Sequence, residues 1–197
     1  FYQRDKVQTI YLTISGENLQ KLHDALPKRI YVPGTVRWRD MKLENVGIRY
    51  KGNSSSRPKQ SHKRSFLIKV NEYEKGTRFL GLRRIALDNG VQFGSLFSEP
   101  VITDILRAEG IPASRYNYAR VFLNDKFIGV YGNVERIDES FVATHFPGKK
   151  GPLYKVHMPG PGAMLNYAGD DVNEYKKAFE PKTNAADKKY DELIEVF

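Results

Sequence analysis

Along residues 7–14, VQTIYLTI, the apolar side chains of Ile10, Leu12 and Ile14 fall on alternate positions. That period of two predicts a half-buried strand. Ser15-Gly16 breaks the pattern. Leu19, Leu22 and Leu26 then recur at helical spacing until Pro27 stops the helix. Residues 30–38 and 43–51 read as two strands joined around Arg39-Asp40, the second running straight into KGNSSS. Alternation resumes over 64–71, with Phe66, Ile68 and Val70 on one face and Leu67 and Lys69 on the other. FLGL at 79–82 and IAL at 85–87 add another short apolar stretch. Residues 95–109, SLFSEPVITDILRAE, carry a helical pattern. Ser95 is its expected N-cap, Pro100 lies close to the first turn, and Gly110 and Pro112 end it. Tyr118–Leu123 and Phe127–Val134 read as a hairpin turning at Asn124-Asp125-Lys126. A short helix capped by Asp138 is expected over 138–146, a short strand over Leu153–Val156, and a mostly helical tail over 170–197.

Strands, one central helix, a hairpin and then helices predict an α+β fold, a mostly antiparallel sheet backed by the 95–109 helix. The expected organisation is a β-rich lobe over 1–156 and, over 157–197, a loop and helical start of a second lobe.

Composition changes this picture little. The 197 residues are 40% hydrophobic and 12% aromatic, enough for one domain-sized core or a large lobe of something bigger. No apolar run approaches the roughly 18 residues that span a bilayer. The chain starts at Phe1 with no signal-peptide pattern, as a mature or partial form does. The absence of cysteine excludes disulfides, thiolate metal sites and cysteine nucleophiles. His23, His62, His145 and His157 are scattered without metal-ligand spacing, so no protein zinc site is expected. Charge adds more. Residues 49–84 hold eleven Lys and Arg against Glu72 and Glu74, which equals the net charge of +9 of the whole chain. Such a field attracts phosphate, nucleic acid or an acidic partner, or it is a solvated basic hairpin.

The candidate chemistry gathers around that field. In Gly52-Asn53-Ser54-Ser55-Ser56, small residues allow close backbone approach to an anion, and hydroxyls and free N–H groups donate to phosphate oxygens. The spacing is neither that of a Walker loop nor GxGxxG, and a polar hairpin turn is the plain alternative. Lys51 supplies charge at the start of this loop. Lys69 and Lys155 are strand lysines of the sort that hold nucleotide phosphates, or solvent-facing ones. Glu135 ends a strand, where it pairs with a lysine, positions a nucleotide or bridges to an arginine. Asp170-Asp171 is an acidic loop pair, more simply solvated than metal-bound. The aromatics of 118–131 interleave with Arg120 and Lys126, a weak hint of a single-strand RNA platform.

In order along the chain, VGIRYKGNSSS, KRSFLIKVN, FLGLRRIALDN, ILRAEGIPASR, YARVFLNDKFIGVYGNVERID and GPLYKV together resemble the CotH kinase family, named for spore coat protein H. The resemblance implies a divergent protein-kinase-like N-terminal lobe that cradles ATP with Mg²⁺. It implies an atypical kinase acting on Ser or Thr of coat, surface or secreted proteins, at a spore-coat, cell-surface or extracellular location. By the same resemblance Lys51, Gly52, Asn53, Ser54 and Ser55 stand where a phosphate-covering loop belongs. Lys69 is the expected phosphate lysine, Lys155 the second choice, Glu99 its helix-borne partner, and Glu135 lies near the adenine. The catalytic and metal-binding aspartates are expected beyond residue 197. The alternatives are a non-catalytic surface or coat adhesion module of the same fold and, less favoured, a nucleic-acid-binding domain.

Overall fold

The computed structural model describes residues 1–52, 56–91, 94–148, 151–156, 166–183 and 190–196. The chain divides into two units, Phe1–Arg136 and Ile137–Phe197. In the first, β1 (Gln8–Thr13), α1 (Gly16–Asp24), β2 (Val32–Trp38), β3 (Met41–Lys51), β4 (Ser65–Lys69), β5 (Arg84–Asp88), α2 (Ser98–Ala108), β6 (Tyr116–Leu123) and β7 (Lys126–Val134) follow one another.

These strands do not form a helix-backed open sheet. They close into a seven-stranded barrel in the order β1-β2-β3-β4-β5-β7-β6. Every neighbouring pair is antiparallel except β1 with β6, whose parallel register from Gln8–Ala119 to Leu12–Leu123 shuts the ring. The expected kinase-like sheet lobe backed by the 95–109 helix is therefore corrected to a mixed β-barrel. The reason lies in where the apolar faces point. Ile10, Leu12, Val36, Ile48, Phe66, Ile68, Ile85, Leu87 and Val121 all bury in one cluster. The strands thus cover one another's apolar faces, while Leu22 of α1 joins the same cluster. Helix α2 buries only Pro100 and Thr103, and leaves Val101, Ile102 and Ile105 exposed.

Local signals hold up better. Ser15 caps α1, its side chain accepting from the Asn18 N–H at 3.2 Å. Helix α2 begins three residues later than its pattern predicts, because Ser95 Oγ accepts the Phe97 N–H at 2.9 Å in a turn of its own. Pro100 is the third helical residue, where a missing N–H breaks no intrahelical bond. The barrel is fastened by polar pairs. Trp38 Nε1 donates to Gln8 Oε1 at 2.8 Å, and the Asn117 carboxamide faces the carbonyls of Phe1, Gln3 and Lys6 at 2.8–3.1 Å.

The second unit holds α3 (Glu139–His145), β8 (Tyr154–Val156), α4 (Val172–Ala178), β9 (Phe179–Pro181) and α5 (Tyr190–Ile194). Asp138 and Asp171 cap α3 and α4 through their side chains. Within the described part of the tail, Phe179 leaves α4 to pair with Val156 in a two-stranded ladder where the pattern predicts helix. Tyr175, Ala178, Phe179 and Tyr190 form a small separate core. Among the described residues no helix is long and apolar enough to cross a membrane.

Candidate functional site

On the outer face of the barrel, one register row runs from β3 to β6. Lys51 opposes Ser65, Asp88 lies one step beyond the Phe66–Leu87 pair, Asp88 opposes Gly132, and Gly132 opposes Tyr118. Ser65 and Gly132 are small, which lets longer side chains lie over them, Tyr116 against Gly132 among them. The lysine reaches over Ser65, and Lys51 Nζ meets Asp88 Oδ2 at 2.5 Å. Asp88 is fixed from the other side as well, with Oδ1 accepting the Gly90 N–H at 2.9 Å. Both partners are largely covered, at 26% and 18% side-chain exposure, which places the pair between a surface and a buried bridge.

Helix α2 brings Glu99 to this row. Its start is anchored by two tyrosines, since the hydroxyls of Tyr116 and Tyr118 donate to the Leu96 carbonyl at 3.4 and 3.2 Å. Two glycines make that seat possible. A Cβ at Gly90 would lie 2.7 Å from Leu96, and a Cβ at Gly132 would lie 2.1 Å from the Tyr116 hydroxyl. Burial lifts the Glu99 carboxyl above its ordinary range, the Asp88 carboxylate lifts it further, and Lys51 pulls it back. Burial and then Glu99 push the Tyr116 hydroxyl up, so it stays protonated as a donor. The result is a Lys51–Asp88 ion pair with the partly buried Glu99 carboxyl in its electrostatic field.

The loop leaving Lys51 is tied down at its described parts. Gly52 takes φ 93°, a left-handed turn suited to glycine. Ser56 is buried and donates through Oγ to the Lys51 carbonyl at 3.0 Å. Asn53, Ser54 and Ser55, expected to touch phosphate, lie outside the described residues. Arg64 spends its guanidinium on the carbonyls of Arg57 and Pro58 at 3.1 and 3.3 Å. Lys63 donates to the Val130 carbonyl and sits 4.5 Å from the centre of the Tyr131 ring. Burial draws the Lys63 ammonium below its ordinary value, with Asp88 opposing.

Within the first unit, Lys69 and Glu135 do not join this cluster. Lys69 stands at the far end of the β3–β4 ladder, opposite Gly47, four residue steps or about 13 Å from the Lys51 end. There it pairs with Glu72 at 2.6 Å and lies 5.8 Å from the Tyr31 ring centre. Glu135 is buried, and its two oxygens accept the Arg115 N–H at 2.9 Å and the Arg115 guanidinium at 2.6 Å. Lys155 belongs to the second unit, exposed on β8 opposite Glu180. Among the described residues no cluster of three or more His, Asp or Glu side chains is placed to hold a metal ion.

Asp88 and Tyr116 escape a reading of the sequence. Asp88 ends an alternating strand whose outward positions are Arg84, Ala86 and Asp88, so its direction is legible. Its proximity to Lys51 is not, because a third strand lies between them.

A family model described as CotH kinase protein matches residues 48–197, the greater part of the chain, and takes in Lys51, Asp88, Glu99 and Tyr116. No curated protein matches the chain.

Proposed function

The chain belongs to the CotH kinase family, and we propose that it is the nucleotide-binding portion of a CotH-type kinase whose phosphate lysine is Lys51. The observation that carries this reading is the Lys51–Asp88 pair beside Glu99, at the root of the Gly52–Ser56 loop. Kinases hold nucleotide phosphates with a strand lysine that a helix-borne glutamate keeps in place. In this reading Glu99 on α2, which feels the Lys51 charge, would take that place, whereas Lys69 is committed to Glu72 at the other end of its strand. ATP phosphates would displace part of the Asp88 interaction and take donors from Lys51, Gly52, Asn53, Ser54 and Ser55. A Mg²⁺ ion usually keeps one or two carboxylates and fills its remaining positions with phosphates and water. Asp88, paired with Lys51, and Glu99, in the field of both, would be the carboxylates for this need. Mg²⁺ would supply charge neutralisation there. The phosphorylated substrate in this reading is Ser or Thr of a coat, surface or secreted protein, at a coat or cell-surface location.

The test is thermal unfolding of the full 197-residue chain with millimolar ATP and Mg²⁺. ATP should raise the melting temperature, Lys51→Ala should remove the rise, and Lys69→Ala should keep it. An equal rise in the Lys51→Ala protein would place the nucleotide elsewhere. The Asp88 bridge itself favours a second reading, because it already neutralises Lys51. In a non-catalytic coat or surface adhesion module the bridge would be purely structural, and ATP would leave the melting temperature unchanged in every variant.

A further inference from the structure

A second basic surface lies on the outer face of the barrel, largely on strands that precede residue 48. One register row crosses five strands there. Lys42 opposes Arg37, Arg37 opposes Tyr11, Tyr11 pairs with Phe122, and Phe122 opposes Phe127. The row is stacked along its length. The Arg37 guanidinium lies 3.7 Å from the Tyr11 ring centre. Tyr11 stacks on Phe122 at 4.9 Å and 22°, and Phe122 meets Phe127 at 5.3 Å. One residue past β2, Arg39 lies 4.4 Å from the centre of the Trp38 ring.

Arg37, Arg39 and Lys6 line a surface pocket of about 380 Å³ over Tyr11, Trp38 and Thr9, and among the described residues no carboxylate lines it. Three features set it apart from a chance cluster of surface charge. First, the ring contacts hold both guanidinium planes while their N–H edges stay available, and that rigid fork matches a phosphate or carboxylate. Second, like charges directly opposite on antiparallel strands destabilise the pair. Lys42 has Glu44 at 2.5 Å to relieve it, whereas Arg37 has no carboxylate partner among the described residues. Third, three cations line one pocket, Lys6 with Asp5 at 3.8 Å beside it, and the two guanidiniums together with the ammonium match a dianion better than a single carboxylate. A nucleic-acid strand is disfavoured, because Arg37 and Phe122 flank the Tyr11 ring, the ring on which a base would stack.

We propose that this pocket binds a phosphate monoester dianion, carried by a phosphorylated protein side chain or by a small phosphorylated molecule. The site is independent of nucleotide binding at Lys51. Trp38 is the only tryptophan in the chain; it is buried in the barrel core but meets the pocket beneath Arg39, so its fluorescence is a local probe of occupancy. The full chain would be titrated at low ionic strength with inorganic phosphate, O-phosphoserine, a phosphoserine peptide and the same peptide unphosphorylated.

A saturable change with the phosphorylated compounds and none with the plain peptide is expected. Tighter binding of the phosphopeptide than of O-phosphoserine would assign the source to a protein, and equal binding to a small molecule. Arg37→Gln should weaken binding about tenfold or more, the scale of a lost charge-assisted hydrogen bond, and Lys51→Ala should not. Because Arg39 occupies a left-handed turn with φ 51°, the exposed Lys6→Gln variant serves as the second probe and should also weaken binding. No saturable change with any phosphate compound would overturn the proposal. So would an equal response to the plain peptide, unchanged affinity in both variants, or tighter binding of oligothymidylate than of the phosphopeptide.

Discussion

Glu99 shows how one residue couples the site to pH. Its carboxyl is raised above the ordinary value of 4.5 by burial first, then by Asp88, with Lys51 opposing. A carboxyl raised in the folded state holds its proton more tightly there than in the unfolded chain. Its favourable contribution is therefore full below about 4.5 and fades as pH rises through the raised folded value. Glutamine carries no such titration. The stability of Glu99→Gln relative to the native chain should thus climb as pH rises from the ordinary carboxylate range, then level off. Urea midpoints of both proteins between pH 4 and 7 measure this. A difference that stays flat or falls over that interval would remove Glu99 from the charged cluster. Lys51→Met in the native background should steepen the climb, because the one opposing cation is lost.

Among the elements, α2 owes its position to small residues on the strands beneath it. Gly132 is the sharpest case, since an added Cβ would sit 2.1 Å from the Tyr116 hydroxyl and 2.6 Å from its ring carbon Cζ. The Tyr116 ring is buried against that strand and cannot simply swing aside. Gly132→Ala should cost about 1–3 kcal/mol, the usual scale of overpacking. It should also loosen the α2 start, read as faster amide exchange in the first turns of α2 than elsewhere in the barrel. A loss below about 0.5 kcal/mol with unchanged exchange would show that Tyr116 does not anchor the helix. The strands themselves are legible in the sequence because alternation is local. Phe66, Ile68 and Val70 announce their shared face, and the Asn124-Asp125 turn announces the hairpin. Lys51 and the turn after it are legible in the same way, from charge and glycine. Asp88 is not, because its partner is two strands away and only the register joins them. The choice between Lys51 and Lys69 is hidden for the same reason. Both point outward from adjacent strands, and antiparallel pairing then sends them to opposite ends.

For the whole molecule, closure of the barrel is the property that no local pattern announces. It depends on β1 meeting β6 more than 100 residues later, and the cost of closing so long a loop is repaid only when the ring is complete. Asn124 clips that junction, its Oδ1 accepting the Ile14 N–H at 2.9 Å and its Nδ2 donating to the Ile14 carbonyl at 2.8 Å. The matched segment 48–197 begins inside β3, so it lacks β1, β2 and most of β3. It also lacks Ile10, Leu12, Ile14, Leu22, Val32, Val36, Trp38 and Val46, eight of the nineteen buried residues of the main core. What remains of the ring has two unpaired edges and an open interior, a combination that favours association over folding. A 48–197 fragment should therefore bind a hydrophobic dye and leave the amides of Ile68, Leu87 and Tyr131 unprotected from exchange. Adding a 1–47 peptide should restore protection, since it supplies both missing strands and their apolar faces. Native-like protection of those amides in the fragment alone would mean that the family's shared segment folds without closing the barrel. The strands before residue 48, with their arginine pocket, would then be an addition to the fold and not a condition of it.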